Sequence, residues 1–367
     1  MRRFFTFTLL EPHLHKDCEL ILSLKNQRFD PTSNKSLFSS TFSQKIDPFD
    51  LLKKDMQDFT KNIENAVAIS EPGLDFVTQY YFKHPGKHIR PTIALALARA
   101  INSVEGEIEK SLVKSEQMIF AQVIEMIHCS SLIHDDVIDN GETRRGQVAI
   151  HKKVGKKRAV LGGDYIIATA SLLCTTTGDM RLMTLISAIM ENLARGELIQ
   201  ADSNPSDLDN LLVEYCHKTY FKTASLIAHC CRGIGLYGQE PEKCFEFGKN
   251  LGLAFQYVDD ILDFVGSSKN LGKPAMNDLK EGVVTGPVLF SAYFQPEIVE
   301  MLERGFSEDR DLEKTREFVL EFGIEATRRL ALIHLEKALQ AVEFVGIDSP
   351  AIEVLRSLAS KVYGRIS

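Results

Sequence analysis

The sequence lacks the features that mark several large classes of protein. None of its apolar runs is long enough to span a bilayer, so a transmembrane protein is not indicated. Its seven cysteines are odd in number and none lies in a CxxC pair, which argues against a disulfide framework and against a zinc site. Segments with the alternating pattern of β-strands are nearly absent, and the net charge of −7 disfavours general nucleic-acid binding.

The sequence instead carries helical patterning over most of its 367 residues. Hydrophobic residues make up 44% and charged residues 25%, which is ordinary for a globular protein with a sizeable core. From Pro48 onward, apolar residues recur at three- and four-residue spacing, as they do on amphipathic helices. We predict an all-α fold in which residues 46–367 form one large helical domain.

Three carboxylates follow an apolar run in the stretch Leu132–Gly146. Asp135 and Asp139 are four residues apart, so a helix places them one turn apart on the same face, and Asp136 adds a third charge. Because like charges repel one another, this arrangement calls for a counter-charge. Mg²⁺ can supply it, since hard divalent cations bind carboxylate oxygens and keep water molecules that a phosphate group can replace.

The same acidic spacing recurs after Phe255-Gln-Tyr-Val. One such motif alone would be interpreted as a solvated acidic surface. Both copies, however, lie within apolar sequence, and a carboxylate that interrupts a core-facing helix needs a paired cation or a metal. We therefore predict a Mg²⁺ site in which Asp135, Asp139 and Asp259 are the direct ligands. Its full set of carboxylates is Asp135, Asp136, Asp139, Asp259, Asp260 and Asp263.

Paired DDxxD motifs of this kind resemble those of the trans-prenyltransferases, also called isoprenyl diphosphate synthases. In that family the first motif is followed by Arg-Arg-Gly, here Arg144-Arg145-Gly146, and the second is preceded by Phe-Gln, here Phe255-Gln256. The sequence most resembles the long-chain polyprenyl diphosphate synthases that make quinone side chains, over roughly residues 45–367. The resemblance implies a helical bundle of the isoprenoid synthase type with a central cavity. It also implies a transferase that joins an allylic diphosphate (farnesyl or geranylgeranyl) to successive isopentenyl diphosphates, making a long all-trans polyprenyl diphosphate for ubiquinone.

A basic turn precedes a predicted helix in the stretch from Lys83 to Pro91. Its Pro and Gly predict a turn, and Pro91 suits the first position of a helix over 92–101. Lys87 and Arg90 would then stand beside a helix N-terminus, which is a natural anion site. A solvated basic turn would be the better explanation of this stretch alone. The resemblance favours the anion site, because the matching Gly-Lys-x-x-Arg-Pro motif of the family binds isopentenyl diphosphate.

The resemblance implies three further ligands close to the first motif. His128 lies two turns before Asp135 on the same helix face, where family members use His or Gln to bind isopentenyl diphosphate. Without the resemblance, it would be interpreted as a core histidine. Arg144 matches a ligand of the allylic diphosphate and Arg145 a ligand of isopentenyl diphosphate. Arginine suits both roles because its planar guanidinium forms paired, charge-assisted hydrogen bonds with phosphate oxygens.

The predicted catalytic residues lie on later helices. Lys222 interrupts an apolar pattern, and its simplest interpretation is a side chain that reaches solvent from the edge of the core. The resemblance implies instead that Lys222 contacts the allylic diphosphate, and that Thr223 and Gln256 direct oxygens toward the developing carbocation. It also implies that Lys273, in a basic loop, closes over the allylic diphosphate. Shorter-chain members usually carry Lys after a Glu-Gly pair, whereas this chain reads Glu281-Gly-Val-Val, which leaves one phosphate contact unassigned.

Three residues just upstream of the first motif bear on product length, namely Ile127, Ser130 and Ser131. Bulky aromatic side chains at these positions would close the floor of the pocket. The two serines leave room for a growing chain to pass between helices, which predicts a product longer than farnesyl. The alternative is that the serines simply allow close packing of two helices.

Residues 1–45 differ from the rest of the chain in composition. They begin Met1-Arg-Arg and are rich in Ser and Thr, which predicts a mitochondrial transit segment and a protein of the mitochondrial matrix. The acidic residues Glu11 and Asp17 do not fit this pattern, so a flexible or subunit-contacting extension is the alternative. At the other end of the chain, Lys361 and Arg365 are interpreted as surface charges, with contacts to the site as the alternative.

The resemblance further implies a homodimer, or a heteromer with a related subunit, and peripheral contact with a membrane when the product is released. Alternatives within the family are a geranylgeranyl diphosphate synthase and a partner-dependent subunit. A class I terpene cyclase also has one DDxxD motif, but it has no use for Lys87 and Arg90 because it binds no second diphosphate. A helical interaction protein would not explain two acidic triads in apolar sequence.

Overall fold

The computed structural model describes residues 12–28, 47–83, 86, 88–103, 112–201, 207–238, 240–265, 276–280, 282–345 and 350–365. Two predicted substrate ligands, Lys87 and Lys273, lie outside these residues. So do residues 1–11 and 29–46, which make up most of the predicted transit segment.

The described chain is helical almost throughout, which confirms the predicted all-α class. The α-helices are α1 (Pro12–Leu24), α2 (Pro48–Leu51), α3 (Lys53–Val67), α4 (Pro72–Lys83), α5 (Ile89–Asn102), α6 (Ser115–Ile138), α7 (Ile150–Val154), α8 (Lys156–Thr175), α9 (Met180–Ala201), α10 (Leu208–Thr219), α11 (Ser225–Gly235), α12 (Pro241–Val265), α13 (Asn277–Lys280), α14 (Gly286–Ala292), α15 (Glu297–Glu303), α16 (Asp311–Phe318), α17 (Ile324–Ala341) and α18 (Pro350–Tyr363). Two π-helical segments, Tyr220–Ala224 and Val319–Gly323, continue α10 into α11 and α16 into α17, and a 3₁₀ turn spans Glu343–Val345.

A short β-hairpin follows the first acidic motif. Its strands β1 (Thr143–Arg144) and β2 (Gln147–Val148) are antiparallel, with Arg144 opposite Gln147. The two residues between them, Arg145 and Gly146, both have positive φ, at 53° and 74°, which is the pattern of a type I′ turn. The Arg-Arg-Gly sequence therefore forms the tip of a hairpin, and this turn separates the two arginine side chains.

Helix α5 lies at the centre of the bundle. Every residue from Pro91 to Ala100 is buried, as expected for a helix that is apolar on all sides. Arg99, the charged residue within this buried stretch, pairs with Asp55 of α3 through Nε and Oδ2 at 2.6 Å. Helices α6 and α12 carry the two acidic motifs, and α12 packs between α11 and α17.

Helix α1 is an integral part of this core. Leu14, Cys18 and Ile21 are buried against α10 and its neighbours. Asp17, which is 3% exposed, forms a buried ion pair with Lys249 of α12, at 3.2 Å between Oδ2 and Nζ. Residues 12–24 therefore belong to the folded body, although their composition had grouped them with the N-terminal segment. Where a transit segment would end stays a prediction.

None of the helices in the described ranges combines the length and the apolar character that crossing a bilayer requires.

Candidate active site

A cavity of about 400 Å³ opens between α5, α6, the hairpin, α11, α12 and the C-terminal end of the described chain. Its charged lining consists of arginines and carboxylates, and apolar residues complete the lining. The arginines are Arg90, Arg144, Arg145 and Arg365, the carboxylates are Glu125 and Asp259, and the apolar residues include Leu132, Ile227 and Phe255. This combination suits a ligand with an anionic head and a hydrocarbon tail.

Arg90 and His128, predicted ligands of isopentenyl diphosphate, are in direct contact. Arg90 Nη1 lies 2.9 Å from His128 Nε2. Burial, together with Arg90 and Arg145, lowers the pKa of His128 well below its usual value, so the ring is neutral at physiological pH. Because a guanidinium can only donate, Nε2 must be the acceptor in this bond. His128 therefore orients Arg90 toward the cavity.

Arg145 reaches the same cavity from the tip of the hairpin. Its Nη1 donates to the backbone carbonyl of Tyr81 at 3.2 Å, and its Nη2 lies 3.9 Å from Glu125 Oε1. The side chain also passes close to Gly86, where a Cβ would come within 3.2 Å of Arg145 Nε. A glycine at position 86 thus lets the family's basic turn and the hairpin arginine meet.

The first acidic motif points its carboxylates in different directions. Asp136 is only 2% exposed, and its Oδ2 accepts from the Tyr81 hydroxyl at 2.7 Å. Its Oδ1 accepts from Arg144 Nε at 2.8 Å and pairs with Nη2 at the same distance. Asp135 is half-buried beside Lys222, and burial raises its pKa to about 6. Asp139 is exposed at the end of α6.

The second motif likewise combines a buried middle carboxylate with two more exposed ones. Asp260 is 2% exposed, accepts from the Tyr215 hydroxyl at 2.5 Å, and accepts from Gln256 Nε2 at 2.8 Å. Burial raises its pKa to about 7, although both hydrogen bonds act in the opposite direction. Asp259 and Asp263 are half-buried, and only Asp259 lines the cavity.

Arg365 contacts the second motif from the C-terminal end of the described chain. Its Nη1 lies 2.6 Å from Asp259 Oδ1, and its guanidinium stands over the Phe255 ring at 5.0 Å from the ring centre. The interpretation of Arg365 as a surface charge is therefore wrong, because it lines the cavity. Lys361 is exposed and pairs with Asp47, as expected of a surface charge.

The predicted catalytic residues lie on the π-helical segment Tyr220–Ala224 and on α12. Thr223 Oγ1 donates to Gln256 Oε1 at 2.8 Å, so these two side chains are in contact. Lys222 forms an ion pair with Glu197 of α9. The segment is wedged between glycines of two helices, since a Cβ on Gly196 would lie 3.0 Å from Lys222 N and one on Gly252 would lie 2.8 Å from Ala224 Cα. Single π turns inside α-helices are frequent at functional sites.

The three predicted chain-length residues have different surroundings. Ile127 is buried in the core, and Ser131 is half-buried with its hydroxyl bonded to the carbonyl of His128 at 2.9 Å. Ser130 is fully buried and donates to the Gly163 carbonyl of α8 at 2.9 Å. This contact matches the alternative of close helix packing at Ser130. The role of all three in product length stays a prediction.

Several site residues were missed by the sequence analysis. Glu125 and Glu197 face the predicted cationic ligands, while Tyr81 and Tyr215 bind the middle carboxylate of each motif. A signal existed for Glu125, which is a lone charge within an apolar helix, three residues before His128. The tyrosines carried no such signal, because they come from segments 55 and 45 residues away from the carboxylates they bind.

The donor set fits Mg²⁺ bound together with a phosphate ligand. Within the described ranges, no three His, Cys, Asp or Glu side chains converge into a complete metal site. Mg²⁺ does not need one, because it is commonly held by one or two carboxylates with water and substrate phosphate oxygens as its other ligands. The half-buried outer carboxylates Asp135 and Asp259 suit this role better than Asp136 and Asp260, which are 2% exposed and accept hydrogen bonds at both oxygens. Asp259 uses its Oδ1 to pair with Arg365.

Comparisons with known proteins identify the family. The family model for polyprenyl synthetases matches residues 71–319. The chain is 36% identical over 361 residues to human all trans-polyprenyl-diphosphate synthase PDSS1, covering 97% of this chain and 85% of the human protein. It is 35% identical over 368 residues to a probable mitochondrial hexaprenyl pyrophosphate synthase of Neurospora crassa, covering 87% and 82% of the two chains. The crystal structure of a decaprenyl diphosphate synthase from Rhodobacter capsulatus superposes with a TM-score of 0.77 at 29% identity, covering 87% of this chain and 98% of the other.

The chain belongs to the polyprenyl synthetase family and is a polyprenyl diphosphate synthase, a transferase of prenyl groups. The predicted isoprenoid synthase fold and long-chain synthesis are confirmed, and the alternatives gain no support from these relatives. Enzymes of this family use allylic and isopentenyl diphosphates and generally depend on Mg²⁺.

Proposed function

We propose that this synthase builds a long all-trans polyprenyl diphosphate for the ubiquinone side chain, and that both diphosphates bind at the cavity described above. The observation that carries this proposal is the meeting of Asp259 of the second motif with Arg90, His128 and Arg145 around a single cavity. A site for one diphosphate would need either the metal-binding carboxylates or the arginines. The presence of both sets around one cavity suits the binding of two diphosphates.

Isopentenyl diphosphate would be held by Arg90, Arg145 and His128, together with Lys87. Arg90 and Arg145 support this role because each has a second partner that fixes its guanidinium, His128 for the first and the Tyr81 carbonyl for the second. Preorganised donors bind a phosphate without a further loss of side-chain freedom.

The allylic diphosphate would bind on the opposite side, near Asp135, Asp139 and Asp259, with Lys222, Arg144 and Lys273 as cationic contacts. When bound to these carboxylates, Mg²⁺ neutralises the charge that develops on the departing diphosphate. Asp135 lies beside Lys222, so one carboxylate and one cation can act on the same leaving group. Asp136 would orient Arg144, and Asp260 would orient Gln256, through the hydrogen bonds described above.

The allylic carbon–oxygen bond breaks and its electron pair leaves with diphosphate. The double bond of isopentenyl diphosphate attacks the resulting allylic cation, and transfer of one proton to the released diphosphate restores a double bond. Thr223 and Gln256 would stabilise the cation with side-chain oxygens, and their mutual hydrogen bond at 2.8 Å supports a shared orientation. The product keeps the diphosphate of the isopentenyl unit.

Chain length would depend on the space below the first motif, near Ile127, Ser130 and Ser131. The cavity itself carries an apolar lining at Leu132, Ile227 and Phe255, which suits an isoprenoid tail. No aromatic side chain stands at positions 127, 130 or 131, which supports a product longer than farnesyl.

The oligomer would be a homodimer, or a heteromer with a related subunit, formed through α8 and α9. Leu161 and Leu172 are more than half exposed and lie 11 residues, about three turns, apart on one face of α8. Met180 and Leu198 are likewise exposed and five turns apart on α9. Adjacent helices with apolar stripes of this kind usually bury them against another subunit. Sedimentation of the wild-type protein and of a Leu161→Lys, Leu172→Lys variant would test this surface.

The protein would act in the mitochondrial matrix after import. Mitochondrial enzymes among its relatives support this location, as does the Arg-first, Ser/Thr-rich start of the chain. A long product would leave through peripheral contact with the inner membrane.

Product sizing tests the proposed function most directly. The purified full chain is incubated with labelled isopentenyl diphosphate, farnesyl diphosphate and Mg²⁺, and the dephosphorylated products are separated by length. We expect a ladder that ends well beyond geranylgeraniol and disappears with EDTA. A stop at geranylgeraniol would overturn the long-chain assignment, and the absence of product from a folded sample would indicate a partner-dependent subunit.

A further inference from the structure

Glu125 lies among the cations of the isopentenyl side, and nothing in the proposed function uses it. It stands in the middle of α6, is 7% exposed, and lines the cavity. Its Oε1 is 3.9 Å from Arg145 Nη2, and Arg90 is its other charged neighbour. Burial raises the pKa of Glu125, whereas both arginines favour its ionised form.

The contacts around Glu125 indicate that it does not set the geometry of the arginines. Arg90 is oriented by His128 at 2.9 Å, and Arg145 by the Tyr81 carbonyl at 3.2 Å. At 3.9 Å, the contact between Glu125 and Arg145 is an ion pair without a normal hydrogen bond. Since other groups hold both guanidiniums, the main contribution of Glu125 is its negative charge.

That charge acts against a diphosphate bound to Arg90 and Arg145. A carboxylate this close offsets part of the positive charge of the pair, in a site where the dielectric constant is low. Its presence therefore weakens the very affinity that the arginines create. An anion site designed for the tightest binding would not contain a buried carboxylate.

Weaker binding has a use in repeated condensation, and this step rests on the proposed function. After each condensation, the product carries the diphosphate that arrived on the isopentenyl unit. To act as the allylic substrate of the next round, that diphosphate must leave Arg90 and Arg145 and move to the side of Asp135 and Lys222. A diphosphate held too firmly by the arginines would delay this transfer.

We propose that Glu125 is a charge-balancing residue that moderates the hold of Arg90 and Arg145 on diphosphate, so that each lengthened product can transfer to the allylic side. It acts through the two arginines and is therefore a positioning residue for the retained diphosphate. It is not a metal ligand.

The test compares Glu125→Gln, which keeps the shape and removes the charge, with Glu125→Asp, which keeps the charge. A matched control is Glu191→Gln, which removes one carboxylate from the exposed face of α9, where Glu191 pairs with Arg195. Calorimetric titration with isopentenyl diphosphate measures affinity without turnover. Rapid-quench sizing of products from farnesyl diphosphate separates the first condensation from later ones.

We expect Glu125→Gln to bind isopentenyl diphosphate about tenfold more tightly, because one opposing charge near the site is gone. Relative to its first condensation, the later condensations of Glu125→Gln should slow several-fold, and shorter products should accumulate. Glu191→Gln should match the wild type in both measurements, and Glu125→Asp, which keeps the charge, should lie closer to the wild type than Glu125→Gln does. Weaker binding by Glu125→Gln would overturn the proposal and assign Glu125 to holding the arginines in place, and unchanged binding and products would overturn it as well. A wild-type protein that binds isopentenyl diphosphate but never elongates would contradict the proposed function, and tighter binding by Glu125→Gln would still report the charge effect.

Discussion

The two acidic motifs share one sequence pattern but differ in how the protein compensates the middle carboxylate. Each middle residue, Asp136 or Asp260, is 2% exposed and accepts a hydrogen bond from a tyrosine. Asp136 also has the full positive charge of Arg144 at 2.8 Å. Asp260 has the neutral amide of Gln256 instead. The first motif is thus built around an ion pair, and the second around a carboxylate whose pKa is raised to about 7 by burial.

Within each motif, the middle carboxylate and the first carboxylate have different surroundings. In both copies the middle carboxylate is buried and hydrogen-bonded to the protein's own groups, whereas the first carboxylate is half-buried, and of the two first carboxylates Asp259 lines the cavity. Asp136 would hold Arg144 for the allylic diphosphate, and Asp260 would hold Gln256, which in turn contacts Thr223. In the proposed function, the first motif would therefore organise a phosphate ligand, and the second would organise the polar groups beside the reacting carbon.

The largest effect is expected from the outer carboxylates, where the two motifs should behave alike. Asp135→Ala and Asp259→Ala should each lower turnover at least about 10³-fold, because each removes a metal ligand that stabilises the leaving group. Steady-state assays with saturating Mg²⁺ measure the loss, and circular dichroism should show an unchanged helical fold. An active double variant would contradict the metal site.

The middle carboxylates should separate the two motifs by stability. Asp136→Asn should lower the free energy of unfolding by about 2 kcal/mol, since it removes the charge that pairs with Arg144, whose side chain is 26% exposed. Asp260→Asn should cost less than about 1 kcal/mol, because an amide can replace a carboxyl group that is already half protonated at neutral pH. Guanidinium unfolding of both variants in EDTA makes the comparison. Equal losses would show that the two sites are compensated in the same way.

The pH dependence of stability should reveal the raised pKa of Asp260 in the second motif. A carboxyl pKa raised from about 4 to about 7 means that the folded state binds more protons than the unfolded state, so stability falls as pH rises between these values. The fall attributable to Asp260 is up to about 4 kcal/mol, at about 1.4 kcal/mol for each pH unit. Unfolding in EDTA from pH 4 to pH 8 should show this slope, and Asp260→Asn should flatten it. An identical slope in the variant would assign it to other groups.

The smallest effects are expected at the two tyrosines. Tyr81→Phe and Tyr215→Phe each remove one hydrogen bond to a middle carboxylate, at a cost of about 1 kcal/mol. Tyr215→Phe should also raise the pKa of Asp260 further, because this hydrogen bond favours its ionised form. The pH–stability curve of Tyr215→Phe, compared with that of Tyr81→Phe, measures this. A curve shifted to lower pH would mean that the hydrogen bond favours the protonated carboxyl group instead.

The sequence was informative where chemistry depends on spacing along one helix. The i, i+4 spacing of Asp135 and Asp139 and its repeat in α12 predicted two acidic helix faces, and the resemblance that these motifs carry pointed to a prenyltransferase. Spacing could not reveal which carboxylate of each triad is buried, because Tyr81 and Tyr215 come from other helices. Spacing also could not place Arg365 beside Asp259, because the two residues are 106 positions apart in the chain. Contacts of this kind depend on how the helices pack, which the pattern of one helix does not contain.

The packing of α1 against residues far along the chain also constrains the order in which this protein can fold. Cys18 lies 3.5 Å from His217, and Asp17 lies 3.2 Å from Lys249 and 3.9 Å from Lys337. Helix α1 is synthesised well before these partners and therefore contacts them only after most of the chain has been synthesised. Such long sequence separations slow folding, because a large loop must close before the contact is gained. Helix α1 therefore lacks these contacts during most of synthesis, and its docking is among the last events that complete the core.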